Sequence, residues 1–312
     1  MTRRAAGPPA KRRAAFPAKG KGAKAVITLG LPKGSLQEST FDLFRRAGFR
    51  LTVGSREYFP EIDDEEIDAL LLRAQEISRY VEDGVLDVGL TGHDWVVENG
   101  SDVVEVCELF YSKATARPAR WVLAVPVESR VQRPADLEGK LIATELVATT
   151  ERYLAQHGVR AKVEFSWGAT EAKAGLVDAI VELTETGRSL SANNLRIVDT
   201  VMESTTRLIA NKGAWEDARK RAKIESLGLL LTGALVAQGK VGLKLNVSGE
   251  NLEAVLAELP SMRKPTVSSL WGGDWHAVEA IIDESVAKVI IPRLKRLGAE
   301  GIIEYPLNKV IP

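Results

Sequence analysis

The stretch Asp178-Ala-Ile-Val-Glu-Leu-Thr-Glu-Thr-Gly-Arg-Ser-Leu190 contains an apolar run, a small polar loop and the start of a helix-favouring segment. The run 179–183 predicts a buried strand, with Glu182 embedded in it. Residues 184–189, here named the 184–189 loop, are rich in hydroxyl side chains and include Gly187. A strand, a glycine-containing loop and a helix start form an α/β unit, which binds ligands at the carboxyl ends of its strands.

The 184–189 loop has the composition of an anion-binding site. Gly187 lets backbone N–H groups approach an anion, and the N–H groups of the next helical turn lack intrahelical partners. Thr186 and Ser189 add hydroxyl donors, and Arg188 adds positive charge. An ordinary turn and helix cap would show the same short pattern. The nearby acids favour a phosphate site, because they suit sugar hydroxyls or Mg²⁺. These acids are Asp178, Glu182 and Glu185.

The following sequence, Ala192-Asn-Asn-Leu-Arg-Ile-Val-Asp-Thr-Val-Met-Glu-Ser-Thr-Thr-Arg-Leu-Ile-Ala-Asn211, extends this pattern. Together the two stretches resemble the phosphoribosyl-pyrophosphate loop region of ATP phosphoribosyltransferase, the first enzyme of histidine biosynthesis, in its long form. The resemblance implies that Mg²⁺ is the cofactor, with Glu182 as a candidate ligand. It also implies a set of residues that bind phosphoribosyl pyrophosphate: Asp178, Glu182, Glu185, Thr186, Gly187, Arg188, Ser189 and Leu190.

The first third of the chain carries further α/β units. A strand at 26–30 leads into Leu31-Pro-Lys-Gly-Ser-Leu36 and then a helix that stops at Gly48, and two more strands are predicted at 69–73 and 86–92. In the family that this region resembles, the strand ends face the substrates. The implied ATP and cleft residues are Lys33, Gly34, Ser35, Arg73, Thr91, Gly92, Asp94, Thr144 and Glu145. The chain departs from the family pattern at Ser35, where some members carry Arg, and in the shortened spacing after Glu171.

A second α/β set begins near Arg120, and the resemblance implies a two-lobed, type II periplasmic-binding-protein-like architecture with the ligand between the lobes. We expect a catalytic region at 25–225, with lobe I at about 25–115 plus 200–220 and lobe II at about 116–199. The segment 196–210 is expected to pair back with lobe I.

Beyond residue 226 the strand and helix periods predict the order βαββαβ, which is a ferredoxin-like domain. The stretches Pro-Thr-Val-Ser-Ser-Leu270 and Ile-Ile-Pro-Arg-Leu-Lys-Arg-Leu-Gly-Ala299 resemble the C-terminal domain of the long form. The resemblance implies an ACT-like regulatory domain at 226–312 through which histidine inhibits. The residues that we expect to contact histidine are Thr266, Ser268, Leu270 and Ala299.

Composition excludes several classes of protein. Apolar residues make up 45% of the 312 residues and charged residues 27%, as in globular domains, and no run is long enough to span a bilayer. Eight of the 42 lysines and arginines lie in residues 1–24, which we expect to be a disordered basic tail without a secretory signal. The remainder has 34 basic against 42 acidic residues, which disfavours a nucleic-acid partner. A single cysteine, Cys107, fits a reducing, cytoplasmic location.

The implied reaction joins adenine N1 of ATP to ribose C1 of phosphoribosyl pyrophosphate and releases pyrophosphate. It needs no nucleophilic side chain, which agrees with the absence of any triad pattern around His93, His157 or His276. The family also implies a homo-oligomer, from dimer to hexamer. Three alternatives stay open from the residues alone: a solute-binding or sensory module, an amino-acid-responsive regulator, and a phosphoribosyltransferase that acts on a free base.

Overall fold

A computed structural model describes residues 27–111, 118–262 and 264–311, so the tail expected at 1–24 lies outside the described residues. The chain forms two compact units. The first contains residues up to Arg45 and Phe49–Gly228, and the second contains Arg46–Gly48 and the chain from Leu229 onward. No helix within the described ranges is both long and apolar enough to cross a membrane.

The first unit begins with a set of elements that make up lobe I. In chain order they are β1 (Ile27–Lys33), α1 (Gln37–Ala47), β2 (Leu51–Thr52), β3 (Glu61–Ile62), β4 (Ile67–Arg73), α2 (Ala74–Glu82), β5 (Val88–Gly92), α3 (His93–Asn99) and β6 (Val104–Leu109). β1 lies between β4 and β5 in the sheet and pairs in parallel with both. Its residues are almost continuously buried, as expected for a parallel strand that is covered on both faces.

Lobe II follows, with a second five-stranded sheet in the order β11-β7-β10-β8-β9. Its elements are β7 (Ala119–Pro126), β8 (Leu141–Thr144), α4 (Val147–Gln156), β9 (Lys162–Phe165), β10 (Ala179–Thr184), α5 (Arg188–Ala192) and β11 (Leu195–Ser204). β10 runs parallel to β8 and antiparallel to β7. The Trp121 side chain on β7 is only 2% exposed and lies in the core of this lobe.

The chain returns to lobe I later than the sequence indicates. β11 pairs with β7 over its whole length, with two register shifts, and so belongs to lobe II. Only the next strand, β12 (Thr206–Ala210), pairs with β5 and β6 and completes the lobe I sheet in the order β4-β1-β5-β12-β6. The crossing therefore lies at Thr205, and the expectation that 196–210 as a whole pairs with lobe I is wrong.

The chain continues through α6 (Lys212–Glu216) and α7 (Ala218–Val236). The second unit contains β13 (Lys240–Ser248), α8 (Gly249–Glu258), β14 (Thr266–Ser269), β15 (Trp275–Asp283), α9 (Glu284–Arg296) and β16 (Glu300–Pro306). The antiparallel sheet has the order β14-β15-β13-β16, so the predicted βαββαβ ferredoxin-like domain is confirmed. The two-lobed α/β architecture of the first unit is confirmed as well.

Candidate active site

A cavity of about 820 Å³ lies within the first unit and takes its walls from both lobes. Nine of the residues predicted for the site line it: Lys33, Gly34, Ser35, Arg73, Gly92, Asp94, Glu145, Glu182 and Glu185. Elements that are far apart in sequence thus meet at one place, because the carboxyl ends of the parallel strands in each sheet point into the cleft.

The lobe I wall places two cations side by side. Lys33 ends β1 and Arg73 ends β4, and the two residues are direct partners in the parallel register of these strands. The Lys33 ammonium lies 3.7 Å from the ring centroid of Tyr58, in a cation–π contact. Neighbouring positive charges at the mouth of a cleft suit a polyanion such as a nucleotide triphosphate.

The lobe II wall is acidic. Glu182 is embedded in β10, and burial raises the pKa of its carboxyl. The charges of Glu171 and Glu145 raise this pKa further, while hydrogen bonds from Thr170 and from the backbone N–H of Leu183 lower it. Among the described residues no group of three acidic, histidine or cysteine side chains could hold a metal ion. A metal at Glu182 would therefore need oxygen ligands from the substrates.

The 184–189 loop joins β10 to α5. Gly187 has φ +75°, in the left-handed region that favours glycine, and its N–H donates to Thr184 Oγ1 at 2.8 Å. Arg188 begins α5, so the first N–H groups of this short helix lie next to the loop. The loop thus has the backbone geometry of an anion site. Glu185 lines the cavity, but the following residues do not: Thr186, Gly187, Arg188, Ser189 and Leu190.

Glu171 belongs with this loop, although the altered spacing around it made it an uncertain site residue from the sequence. Its carboxylate accepts a hydrogen bond from the Ser189 hydroxyl. Thr170, the preceding residue, is fully buried, and its side chain forms a hydrogen bond with Glu182. The Gly-Ala-Thr-Glu171 segment before the shortened spacing is the sequence signal that could have identified this contact.

Asp94 forms the buried floor of the cavity and is 4% exposed. Trp121 Nε1 donates to Oδ2 at 2.7 Å, and the N–H of Trp95 donates to Oδ1 at 3.0 Å. Burial nevertheless raises the pKa of the Asp94 carboxyl. A Cβ on Gly92 would collide with Asp94 Oδ1 and would lie 3.4 Å from Ser204 Oγ, so glycine is required there.

The structure separates Asp178 from the loop that it precedes in sequence. Asp178 lies before the first residue of β10, where its Oδ2 accepts the N–H of Leu141 at 3.0 Å and its Oδ1 lies 3.1 Å from Lys140 Nζ. The Leu141 bond and then Lys140 lower the pKa of Asp178. An extended strand rises about 3.3 Å per residue, so Asp178 and Thr184 are about 20 Å apart. The expectation that Asp178 contacts a ligand bound at the 184–189 loop is therefore wrong.

Two predicted threonines are also absent from the cavity lining. Thr91 is fully buried, and its hydroxyl donates to the Ala74 carbonyl at 2.7 Å. Thr144 is fully buried too, and its hydroxyl accepts the N–H of Leu146 at 3.0 Å. Both hydroxyls hold the chain at strand ends and do not face the cavity.

Several cavity residues were missed from the sequence, because their side chains reach the site only through the fold. They include Leu36, Tyr58, Gln75, Trp95, Tyr111 and Thr205. Burial raises the pKa of Tyr111 to about 12, and its hydroxyl is 2.8 Å from Thr40 Oγ1. The Tyr111 hydroxyl therefore stays protonated and forms a hydrogen bond at the wall of the cavity.

The residues predicted to bind histidine lie in the second unit. Thr266 and Ser268 are exposed on β14, which is an edge strand, and Leu270 follows it, half-buried. Ala299 is fully buried in the hydrophobic core of this unit, so its side chain does not reach the surface.

Comparison with known proteins gives a consistent assignment. The ATP phosphoribosyltransferase family model matches residues 73–233, and the model described as "HisG, C-terminal domain" matches residues 237–309. The ATP phosphoribosyltransferase of Solibacter usitatus is 61% identical over 287 residues, which are 92% of this chain and 99% of that protein. The enzyme of Chlorobium chlorochromatii is 59% identical and covers 92% of this chain and 98% of its own length.

Among solved structures, the chain resembles the ATP phosphoribosyl transferase (HisG:HisZ) complex of Thermotoga maritima, with 28% identity and a TM-score of 0.56. The match covers 66% of this chain and 98% of that one. The chain therefore belongs to the ATP phosphoribosyltransferase family, the pentosyltransferases of the first step of histidine biosynthesis.

Proposed function

We propose that this enzyme transfers the 5-phosphoribosyl group of phosphoribosyl pyrophosphate to N1 of ATP, releases pyrophosphate and is inhibited by histidine. The observation that carries the proposal is the glycine-based 184–189 loop at the end of β10, beside a cavity whose opposite wall carries Lys33 and Arg73. One wall offers an anion site for the sugar phosphate, and the other offers charge for the nucleotide phosphates.

Adenine N1 carries a free lone pair, so it can attack ribose C1 without a nucleophile from the chain. The contribution of the chain is to hold two polyanions with the reacting atoms in contact, which raises their effective concentration. The 184–189 loop would fix the 5′-phosphate, and the carboxylates of Glu182 and Glu171 would accept hydrogen bonds from ribose hydroxyls. Lys33 and Arg73 would bind ATP phosphates and stabilise charge as pyrophosphate leaves.

Mg²⁺ fits the oxygen-donor chemistry of the lobe II wall. Glu182 and Glu145 both line the cavity and offer carboxylate oxygens, the ligand type that this ion prefers. When bound, Mg²⁺ supplies positive charge to the departing pyrophosphate.

A pyrophosphate-release assay tests the proposed reaction. We expect release only when ATP, phosphoribosyl pyrophosphate and Mg²⁺ are all present, and nuclear magnetic resonance should show the new bond at adenine N1. Pyrophosphate release without ATP, or attachment at another atom, would refute the proposal. Because the chain belongs to a family of enzymes, two of the alternatives from the sequence are disfavoured: a non-catalytic binding module and a regulator.

Histidine inhibition has its own test in the second unit. Histidine added to the same assay should reduce the rate, and Ser268→Ala should weaken this inhibition about 3- to 10-fold, as expected for the loss of one hydrogen bond. Ser268 is exposed on an edge strand, so the variant should fold and keep its rate without histidine. For the assembly we propose a homo-oligomer from dimer to hexamer, which light scattering with and without histidine would measure.

A further inference from the structure

The N-terminus of α4 in lobe II receives its cap from lobe I. The residue at the N-cap position is Leu146, which has no side-chain acceptor. Glu98 on α3 takes this role: its Oε1 accepts the N–H of Ala148 at 2.9 Å and its Oε2 accepts the N–H of Thr149 at 2.8 Å. A carboxylate at this position satisfies two otherwise unpaired donors and complements the positive end of the helix.

The helix that carries Glu98 is firmly fixed to its own lobe. Asn99 Nδ2 donates to the Gln75 carbonyl at 2.9 Å and to Ser78 Oγ at 2.8 Å. The Ser78 hydroxyl in turn donates to the carbonyl of Trp95 at 3.1 Å. Because α2 and α3 are joined in this way, the Glu98 carboxylate is a fixed point of lobe I.

A second contact crosses at the same place in the opposite direction. Arg152 on α4 donates through Nη2 to the Val97 carbonyl at 2.9 Å, and the same nitrogen donates to Thr149 Oγ1 at 3.0 Å. The start of α4 and the end of α3 therefore hold each other through a carboxylate and a guanidinium, each directed at backbone groups of the other lobe.

The two helices that make these contacts begin next to residues of the cavity. α3 starts just after Gly92 and carries Asp94 into the cavity floor, and α4 starts two residues after Glu145 on the opposite wall. The return crossing between the lobes is short, since β11 ends at Ser204 and β12 begins at Thr206. A short crossing of this kind allows hinge motion unless side chains restrain it.

We propose that Glu98 is a positioning residue that fastens the two lobes at the separation needed to bind both substrates together. The inference rests on the proposed function, because it assumes that the two walls bind different substrates. When Glu98 is absent, the lobes populate other separations, and the apparent affinity falls with the fraction of molecules that are competent to bind. Loss of an N-cap shifts such an equilibrium by about 2- to 30-fold.

The test compares Glu98→Ala and Glu98→Gln with a matched control, Glu138→Ala. Glu138 also accepts a backbone N–H, that of Arg160 at 2.7 Å, but both residues lie in lobe II. We expect Glu98→Ala to raise KM for both substrates about 2- to 30-fold with kcat within about threefold of wild type. Glu98→Gln keeps one acceptor oxygen and should lie between, while Glu138→Ala should leave both KM values unchanged.

A distance measurement separates positioning from simple loss of helix stability. Spin labels at Tyr80→Cys in lobe I and Lys162→Cys in lobe II, in a full-length Cys107→Ser background diluted with unlabelled chain, report the separation of the lobes. Glu98→Ala should broaden the distance distribution and shift it outward, and Glu138→Ala should not. A distribution unchanged from that of the parent, or KM values equal to those of Glu138→Ala, would overturn the inference. Absence of pyrophosphate release by the wild type would instead refute the proposed function, since the spin-label result does not depend on turnover.

Discussion

β10 has a carboxylate near each end, and the two have opposite electrostatic surroundings. Asp178, before the strand, accepts a backbone N–H and pairs with Lys140, so its pKa is lowered. Glu182, near the carboxyl end, is half-buried close to Glu171 and Glu145, so its pKa is raised. The ionised Asp178 carboxylate therefore stabilises the fold. The ionised Glu182 carboxylate, which lies near like charges, destabilises it, as is common for groups that bind a ligand.

Substitution of Gly187 in the 184–189 loop should have the largest effect on kcat/KM. We expect Gly187→Val to lower kcat/KM at least about 100-fold, because a β-branched residue at φ +75° distorts the loop that we propose binds the sugar phosphate. Gly139→Val is the matched control: Gly139 has φ +72° in lobe II with nothing within 4 Å of an added Cβ. The two variants should lose similar stability, and equal losses of activity in the pyrophosphate assay would contradict the role of the loop.

The next largest effect on activity is expected at the half-buried carboxylate of Glu182. Glu182→Gln should lower kcat/KM about 10- to 100-fold, since a neutral amide is a weaker acceptor for ribose hydroxyls and a poorer metal ligand. Because the folded pKa of Glu182 is raised, its ionised form destabilises the fold once the pH exceeds the unfolded value. The variant should therefore melt at a higher temperature than wild type at pH 7 to 8.

A pH profile sharpens this prediction. The wild-type kcat/KM should fall as the pH drops through the raised pKa of Glu182, because the carboxylate becomes protonated. This component of the acid limb should be missing in Glu182→Gln, where ionisation of the substrates and of other cavity carboxyls such as Asp94 remains. Superimposable profiles would show that the ionised carboxylate has no part in the reaction.

The smallest effect on activity is expected at the other end of the strand. Asp178→Asn should keep kcat/KM within about twofold, because Asp178 lies about 20 Å from the loop. The partly exposed Lys140 pair contributes little, so the variant should lose about 0.5–1 kcal/mol, mainly from the weakened backbone hydrogen bond. Because the pKa of Asp178 is lowered in the folded state, the difference in unfolding free energy from wild type should have its full size above pH 3.8. It should disappear as the pH falls through the lowered pKa. Urea unfolding at several pH values measures it, and a large loss of activity would place Asp178 in the site after all.

The fold was largely predictable from the sequence where a local pattern decides the structure. Period-two and helical patterns predicted the βαββαβ domain and the strands that frame the cleft. The errors came from relations that are not local. Asp178 is close to the loop in sequence, but the intervening strand is extended, so short separation in sequence became a long distance in space.

Other site residues could not be predicted because partners from distant segments decide their roles. Thr91 and Thr144 stand at strand ends, as expected of ligand-binding positions, but backbone groups at those strand ends use their hydroxyls. The crossing at Thr205 is also invisible locally, because β11 and β12 form one nearly continuous extended run. Glu98 has no motif at all, since its function depends on a helix start about fifty residues further along the chain.

Any side chain at position 92 would collide with Asp94. This collision changes the interpretation of activity defects in scanning mutagenesis of the enzyme. An alanine at 92 would push the carboxylate out of its pocket of indole and amide donors, so the measured defect would be that of a displaced acid. Position 92 is thus unsuitable for library diversification, and variants there are interpretable only alongside Asp94→Asn.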